Sequence, residues 1–173
     1  MKSMDPKAPR QVAILMGSDS DWERLAPAAK KLSELGIPFQ ARVLSAHRTP
    51  AQLVAFVEAA PDSGIGVFLC AAGGAAHLAG VVAAHTDLPV LGIPMDNPPL
   101  GGLDALLSTV QMPGGVPVAS LGAGVGGPIN AALMAARILA LSDAQLAKRL
   151  VEFRKSQEKA VLAKDQALQK KLA

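Results

Sequence analysis

Short apolar runs alternate with helix-length amphipathic segments along most of this chain. The runs at residues 12–16, 38–44, 67–71, 90–93 and 116–121 have strand length, and each leads through a loop into residues with helical apolar spacing. Strands that are apolar on both faces and alternate with helices indicate a parallel sheet covered on both sides. We therefore expect an α/β fold, a three-layer αβα sandwich with a five-stranded parallel sheet of order 2-1-3-4-5.

Local signals place the ends of several helices. Gly36 lies where the first helix should stop, at the C′ position, and Thr49 with Pro50 supplies the N-cap and first residue of the second. A helix of small residues follows the third strand and ends near His85. Pro128 is predicted to begin the fifth helix, which runs to residue 141.

Residues 142–173 predict a final helix outside this repeat. Asp143 belongs to a capping-box start, and an apolar stripe follows at Leu146, Leu150, Phe153, Val161, Leu168 and Leu172. Because no strand follows, we expect the helix to pack on a neighbouring subunit of a homo-oligomer; a solvated helix on its own domain is the alternative. The predicted organisation is a flexible lead-in at 1–10, one α/β domain at 11–141 and a helical extension at 142–173.

Composition excludes several classes of function. Aromatic residues make up 3% of the 173 residues, with no Tyr, so stacking platforms for nucleobases or a flavin are not expected. The net charge of +3 arises in residues 143–173, which carry eight Lys or Arg against four Asp or Glu. Because that segment mixes both signs on an amphipathic pattern, we predict no nucleic-acid partner.

Cellular location follows from the cysteine count and from the uncharged stretches. A lone Cys70 cannot form an intrachain disulfide, which fits the cytoplasm. Residues 63–86 and 105–136 lack Asp, Glu, Lys and Arg, but their glycines and prolines imply turns. Lipid could not supply hydrogen-bond partners to the backbone groups of such turns. Residues 1–10 are polar and resemble no secretory signal. We predict no membrane association.

Three loops converge where the expected strand order reverses, between strands one and three. Ligands of such sheets bind outside the carboxyl ends of the strands at that point. The loops span residues 17–21, 45–49 and 72–77. They contain the candidate functional residues.

The first loop suits an anion. Gly17 gives backbone room, Ser18 offers a hydroxyl, and the helix that follows presents free N–H groups. The alternative is that Ser20 or Asp21 only caps the helix. Asp19 and Asp21 could suggest magnesium, but no third carboxylate accompanies them, so no metal site is predicted.

The second loop adds a cation and a proton carrier. Arg48 can bind a phosphate through two parallel hydrogen bonds, and Ser45 lies three positions before it. His47 can exchange a proton near neutrality, although a structural histidine is the alternative.

The third loop has almost no side-chain volume. Gly73, Gly74 and Ala75 would let the backbone approach a ligand closely, though tight packing of a helix on the sheet would give the same composition. His77 is either a donor to the site or a local helix cap. Residues 122–127 fit G-x-G-x-x-G, but no later strand ends in an acidic residue, so they predict a turn rather than a dinucleotide site.

Five motifs in order carry a resemblance to a known family. Residues 16–18 with 20–22, 45–50, 72–78, 111–118 and 130–133 are similar to the N5-carboxyaminoimidazole ribonucleotide mutases of de novo purine synthesis, over about residues 11–155. The resemblance implies a flavodoxin-like homo-octamer whose sites are completed by adjacent subunits and which uses no metal, nucleotide or organic cofactor. Ala79 replaces the usual Pro, and residues 95–99 differ from the commoner small-polar segment.

The resemblance also implies a role for each loop residue. His47 would be the catalytic acid and base. The implied substrate-binding residues are Gly17, Ser18, Asp21, Ser45, Arg48, Gly73, Gly74, Ala75 and His77. Among them Ser18, Ser45 and Arg48 would hold the phosphate of the ribonucleotide. Asp21 would accept from the ribose hydroxyls, and the third loop would surround the carboxylate and the imidazole ring.

Two other functions remain open from the sequence. The related carboxylases add free carbon dioxide to aminoimidazole ribonucleotide, but that class typically has Lys in place of Arg48 and lacks the run at residues 73–78. A non-catalytic, flavodoxin-like module that binds phosphate or a nucleotide would need no His47.

Overall fold

A computed structural model describes residues 10–172 of the chain. Its five strands all run parallel and form one sheet: β1 (Gln11–Met16), β2 (Phe39–Val43), β3 (Ile65–Ala72), β4 (Val90–Pro94) and β5 (Ala119–Ser120). The strand order is β2-β1-β3-β4-β5, which confirms the expected order and is that of flavodoxin-like folds. The lead-in predicted at residues 1–10 lies, apart from Arg10, outside the described residues.

Helices cover both faces of the sheet. They are α1 (Trp22–Glu34), α2 (Pro50–Glu58), α3 (Leu78–Ala83), α4 (Leu103–Val110), α5 (Gly126–Ala140) and α6 (Ala144–Leu172), with a short 3-10 turn at Asp19–Asp21. No helix within residues 10–172 combines the length and the apolar character needed to cross a bilayer.

Two apolar cores explain the three layers. Alternate residues of a strand point to opposite faces, so Val12 and Ile14 pack in one core, with α1 and α5. Ala13 and Leu15 pack in the other, with α2 and α3. A strand that is buried on both faces needs apolar residues at every position, and this requirement produces the uninterrupted run that the sequence shows.

Some predicted boundaries are wrong at the end of the sheet and in the helices beside it. The fifth strand was expected over residues 116–121, but only Ala119–Ser120 pair with β4. Pro117 has no N–H to donate to the ladder, and Gly115 is in a turn conformation with φ of 96°. Helix α5 begins at Gly126, before Pro128, because the first turn of a helix tolerates proline. The predicted end of α3 near His85 agrees with its last residue, Ala83.

Three predicted caps have the expected positions. Gly36 follows the last residues of α1 in the left-handed region, with φ of 66°. Thr49 and Pro50 begin α2. Asp143 Oδ1 accepts from the backbone N–H groups of Gln145 and Leu146, both at 2.9 Å, and so caps α6.

Helix α6 leaves the body of the chain after its first turns. Leu146 is buried against α5, and every described residue after Phe153 is exposed. The predicted apolar stripe therefore has a buried beginning and an exposed end. Val161, Leu168 and Leu172 are 64%, 52% and 72% exposed.

Candidate active site

An open pocket of about 360 Å³ lies at the carboxyl ends of the central strands. The three loops predicted to converge there do so. Of the ten predicted site residues, the pocket wall contains all but Gly74: Gly17, Ser18, Asp21, Ser45, His47, Arg48, Gly73, Ala75 and His77. Their individual roles stay predictions.

Two serine hydroxyls meet in the first loop. Ser18 is the N-cap of the 3-10 turn, and its Oγ accepts from the Ser20 backbone N–H at 3.3 Å and contacts Ser20 Oγ at 2.8 Å. Both side chains line the pocket. Ser20, which the sequence offered only as a helix cap, therefore adds a second hydroxyl beside the predicted phosphate site.

Asp21 occupies the N-cap position of α1 without using its side chain as a cap. No hydrogen bond joins its carboxylate to the first turn of the helix, so the capping alternative is wrong for this residue. Its side chain is only 8% exposed. Burial raises the pKa of the Asp21 carboxyl, and the nearby Arg24 guanidinium opposes that rise. The pocket wall thus contains a largely desolvated carboxylate whose acceptor oxygens are not used for capping.

The second loop is closed by its own hydrogen bonds. The Ser45 backbone N–H donates to Thr49 Oγ1 at 2.9 Å, and that hydroxyl donates to the Ser45 carbonyl at 3.1 Å. Ser45 Oγ accepts from the Arg48 backbone N–H at 3.2 Å. Arg48 Nη2 donates to the Gly17 carbonyl in the first loop. Because a guanidinium has five N–H donors, most of the fork remains available to an anion.

The two pocket histidines contact each other. His47 Nε2 lies 2.9 Å from His77 Nδ1, and the rings are perpendicular with centroids 5.0 Å apart. His77 precedes α3 but makes no side-chain cap, so the cap alternative is wrong here too. A neutral imidazole has one donor and one acceptor nitrogen, so the pair shares one hydrogen across this contact.

Close contact between loops favours a glycine at position 73. A Cβ on Gly73 would lie 2.3 Å from Asn97 Nδ2, a distance that real side chains do not adopt. Gly74 is in the left-handed region, with φ of 63°, which favours glycine there as well. The small residues of the third loop therefore bring its backbone against the loop after β4.

Asn97 was missed by the sequence analysis. It lines the pocket from the loop after β4, and its Oδ1 accepts from Arg24 Nη1 at 2.9 Å. Arg24 Nη2 forms an ion pair with Asp96. Two signals could have found Asn97: its place after a strand at the ligand-binding edge, and the departure of residues 95–99 from the family pattern.

Other candidate chemistry lies outside the pocket. Burial raises the pKa of the Cys70 thiol, which keeps it protonated within β3. Gly127 lies so close to the Gly122 carbonyl that a Cβ would be 2.3 Å from it, so the glycines of this segment serve its own turn. Within residues 10–172, no three His, Cys, Asp or Glu side chains gather where they could hold a metal ion.

Several known proteins are similar to this chain in sequence and in fold. The AIR carboxylase family pattern matches residues 11–160. The N5-carboxyaminoimidazole ribonucleotide mutase of Brucella melitensis is 55% identical over 150 residues, which cover 87% of this chain and 93% of that protein. The mutase of Bacillus subtilis is 50% identical over 151 residues, with coverage of 87% and 93%. The crystal structure of Treponema denticola PurE superposes with a TM-score of 0.81 at 28% identity, covering 92% of this chain and 98% of that one. On this similarity, and with the fold and pocket described above, the chain belongs to the AIR carboxylase family.

Proposed function

We propose that this protein is an N5-carboxyaminoimidazole ribonucleotide mutase, an isomerase of de novo purine synthesis. It moves the carboxylate from the exocyclic nitrogen to ring C4 and forms 4-carboxy-5-aminoimidazole ribonucleotide, in the cytoplasm and without a cofactor or metal. The observation that carries the proposal is the composition of one pocket. Two of its loops supply a guanidinium and serine hydroxyls, and its wall also contains two histidines in contact, next to small residues. The high identity to curated mutases supports it.

The wall offers a partner to each part of a ribonucleotide. Arg48, Ser18 and Ser45 bind the phosphate, since hydroxyl donors and a guanidinium fork suit its oxygens. Asp21 accepts from the two ribose hydroxyls, a role that fits an acceptor not used as a helix cap. These hydroxyls separate its charge from the phosphate, so the two anionic groups do not meet directly.

His47 is the residue that moves protons. As an imidazolium it protonates the carbamate nitrogen, the bond from nitrogen to the carboxyl carbon breaks, and carbon dioxide and aminoimidazole ribonucleotide form. Ring C4 then attacks carbon dioxide with its enamine electron pair. Neutral His47 removes the C4 proton, which restores the aromatic ring and the imidazolium, so no net proton is gained or lost.

His77 constrains the protonation of this pair. Because His47 Nε2 and His77 Nδ1 share one hydrogen, a doubly protonated His47 requires His77 to accept at Nδ1 and carry its own hydrogen on Nε2. His77 thus stabilises the charged form of the acid that begins the reaction. His77 and Ala75 both belong to the pocket wall.

Carbon dioxide must stay in the pocket between its release from nitrogen and its capture by C4, and a single chain encloses it incompletely. The wall at Gly73 and Ala75, which have small side chains or none, confines carbon dioxide against C4. Holding the two reactants together raises their effective concentration and so the rate of the step. His47, Arg48 and His77 are nevertheless exposed in one chain. We therefore include a homo-octamer in the proposal, with adjacent subunits closing each pocket and α6 packing on a neighbour.

Replacing His47 tests the mechanism. His47→Asn should lower turnover about 10²- to 10⁴-fold, the usual value of a general acid-base group, and leave nucleotide affinity within a few-fold. His85→Asn is a matched control, because His85 is exposed and lies beyond α3, outside the pocket. Near-normal turnover by His47→Asn would remove this imidazole from the reaction.

A second assay separates the mutase from the carboxylase that the family name also suggests. A mutase converts the carbamate in buffer freed of bicarbonate, whereas a carboxylase acts on aminoimidazole ribonucleotide only with added carbon dioxide. Turnover that depends on bicarbonate would assign the chain to the second reaction. Absence of both activities together with nucleotide binding would favour the non-catalytic module.

A further inference from the structure

Asn97 lies at the opposite end of the pocket from Arg48. The loops that follow β2, β1, β3 and β4 contribute Arg48, Ser18, Gly73 and Asn97, in that order along the sheet edge. Neighbouring strands lie about 4.8 Å apart, so three spacings separate the two outer loops by about 14 Å. A ligand with its phosphate at Arg48 therefore presents its far end to Asn97.

Hydrogen bonding fixes which atom Asn97 offers to a ligand. Arg24 Nη1 lies 2.9 Å from Asn97 Oδ1, and a guanidinium has donors only, so the amide must direct its oxygen towards Arg24. Arg24 is itself held by the ion pair with Asp96. The amide NH₂ group is then the part of Asn97 that remains for the pocket.

This NH₂ group lies against backbone without an intervening side chain. Nδ2 is so close to Gly73 that a Cβ there would be 2.3 Å away. The other loop residue on this wall, Ala75, has no polar side chain, and His77 uses Nδ1 in its contact with His47. Among the described residues of this end of the pocket, Asn97 offers an amide NH₂ group that makes no hydrogen bond, in addition to the Nε2 hydrogen that His77 carries in the proposed mechanism.

We propose that Asn97 is a substrate-binding residue that donates from Nδ2 to the migrating carboxylate, and that Arg24 is a positioning residue that orients its amide. This role rests on the proposed function. A carboxylate only accepts hydrogen bonds and needs such a donor. A cation at Oδ1 polarises the amide and strengthens its N–H groups as donors.

A neutral donor also suits the chemistry of the step. The carboxylate becomes uncharged carbon dioxide midway through the reaction, so a cation at this point would stabilise the starting anion more than the species that follows. Arg24 binds the far side of the amide instead of the pocket side. The arrangement therefore supplies polarity without placing a full positive charge on the group that leaves.

Comparison of two nucleotides isolates this contact. Isothermal titration would measure affinity for 4-carboxy-5-aminoimidazole ribonucleotide and for aminoimidazole ribonucleotide, which lacks the carboxylate. Asn97→Ala should weaken binding of the first about 10- to 100-fold, the usual effect of losing a hydrogen bond to a charged group. Asn97→Asp, of nearly equal shape, should weaken it more, because it places a second carboxylate against the ligand. Both should leave affinity for the second nucleotide within about threefold.

Arg24→Met tests the positioning role, since it removes the donors of Arg24 from an unbranched side chain. It should weaken binding of the carboxylated nucleotide several-fold more than binding of the other. Lys30→Gln is the matched control, because it removes an exposed cation from the same helix. It should change neither affinity.

The outcomes separate the two proposals. Equal weakening of both nucleotides by variants that keep the wild-type thermal unfolding midpoint would make Asn97 structural and overturn this inference while the proposed function stands. Unchanged binding of both would also overturn it. Wild-type protein that binds neither nucleotide would overturn the proposed function and this inference together.

Discussion

Asp21 combines a cost in stability with the binding role proposed for it. Its carboxylate is largely desolvated and does not cap α1. Burial raises its pKa in the folded chain, with Arg24 acting in the opposite direction. The folded state therefore binds this proton more tightly than the unfolded state does. The resulting penalty to folding is absent below the ordinary value of 3.8, and it grows as pH rises through the folded-state pKa.

Asp21→Asn should therefore raise the thermal unfolding midpoint at pH 7 when no nucleotide is added. The gain should shrink as pH falls towards 3.8, because both states of the wild-type carboxyl become protonated there. The same variant should bind aminoimidazole ribonucleotide about tenfold more weakly, since a charged acceptor is lost. Calorimetric melts between pH 4 and pH 7, with Asp19→Asn as the exposed neighbouring control, measure the first effect. A gain that is equal at every pH would contradict the burial argument.

Residue-level contacts could be predicted from sequence only where they are local. Ser45 and Thr49 lie four positions apart and close one loop, so a strand followed by a loop and a helix already places them together. The His47 and His77 rings come from loops thirty residues apart. The sequence places each at the ligand-binding edge of the sheet but cannot show that they touch. The Arg24 contact with Asn97 spans 73 positions and depends on how the loop after β4 lies over α1.

At the scale of elements, polar contacts with the end of α1 add to the apolar packing of Leu146 in attaching α6. Arg149 Nε donates to the Leu35 carbonyl at 2.8 Å, one of the carbonyls that a helix end leaves without an internal partner. Lys31 Nζ lies 4.5 Å from the centre of the Phe153 ring. A cation near the C-terminus of α1 is also favoured by the helix dipole. These contacts join the first turns of α6 to the end of α1.

Arg149→Ala should lower the free energy of unfolding by about 1 kcal/mol, because one carbonyl loses its charged donor at a partly exposed position. Urea unfolding followed by circular dichroism measures this change. Arg154→Ala, at an exposed position of the same helix, should change it by less than about 0.5 kcal/mol. Equal losses in both variants would show that the cap on α1 does not stabilise the fold.

Elements with strong periodicity were predictable, and those governed by tertiary packing were less so. Strands β1 and β3 are buried on both faces and therefore need continuous apolar runs, so their positions follow from the sequence. The alternation of strands and helices predicts a parallel sheet, and the strand order agrees with the expected one. The edge strand β5 makes few ladder contacts, and Pro117 limits it to two residues, which an apolar pattern over residues 116–121 does not show. The start of α6 follows from its cap at Asp143, while the surface that receives its exposed end stays a prediction.

At the scale of the whole molecule, the proposed homo-octamer would account both for the exposed apolar residues of α6 and for the open pocket. Val161, Leu168 and Leu172 fall on one side of α6 when placed at helical spacing, and each is more than half exposed in one chain. The pocket histidines and Arg48 are exposed as well. Subunits that cover both would bury the stripe and exclude water from the site where carbon dioxide is held.

Serine substitution of Val161, Leu168 and Leu172 together should therefore reduce the assembly to smaller species. Burying a Val or Leu contributes about 1.5 to 3 kcal/mol, and the loss is repeated in every subunit. Light scattering after size exclusion should give eight times the 17.7 kDa chain for the wild type and a lower mass for the variant. Turnover should fall with the mass, because the pocket loses its cover. Serines at Lys159, Gln166 and Lys170, on the opposite face of the helix, should leave both unchanged. An apolar-face variant that keeps the wild-type mass would place the interface elsewhere, and a lower mass with full turnover would show that one chain closes its own site.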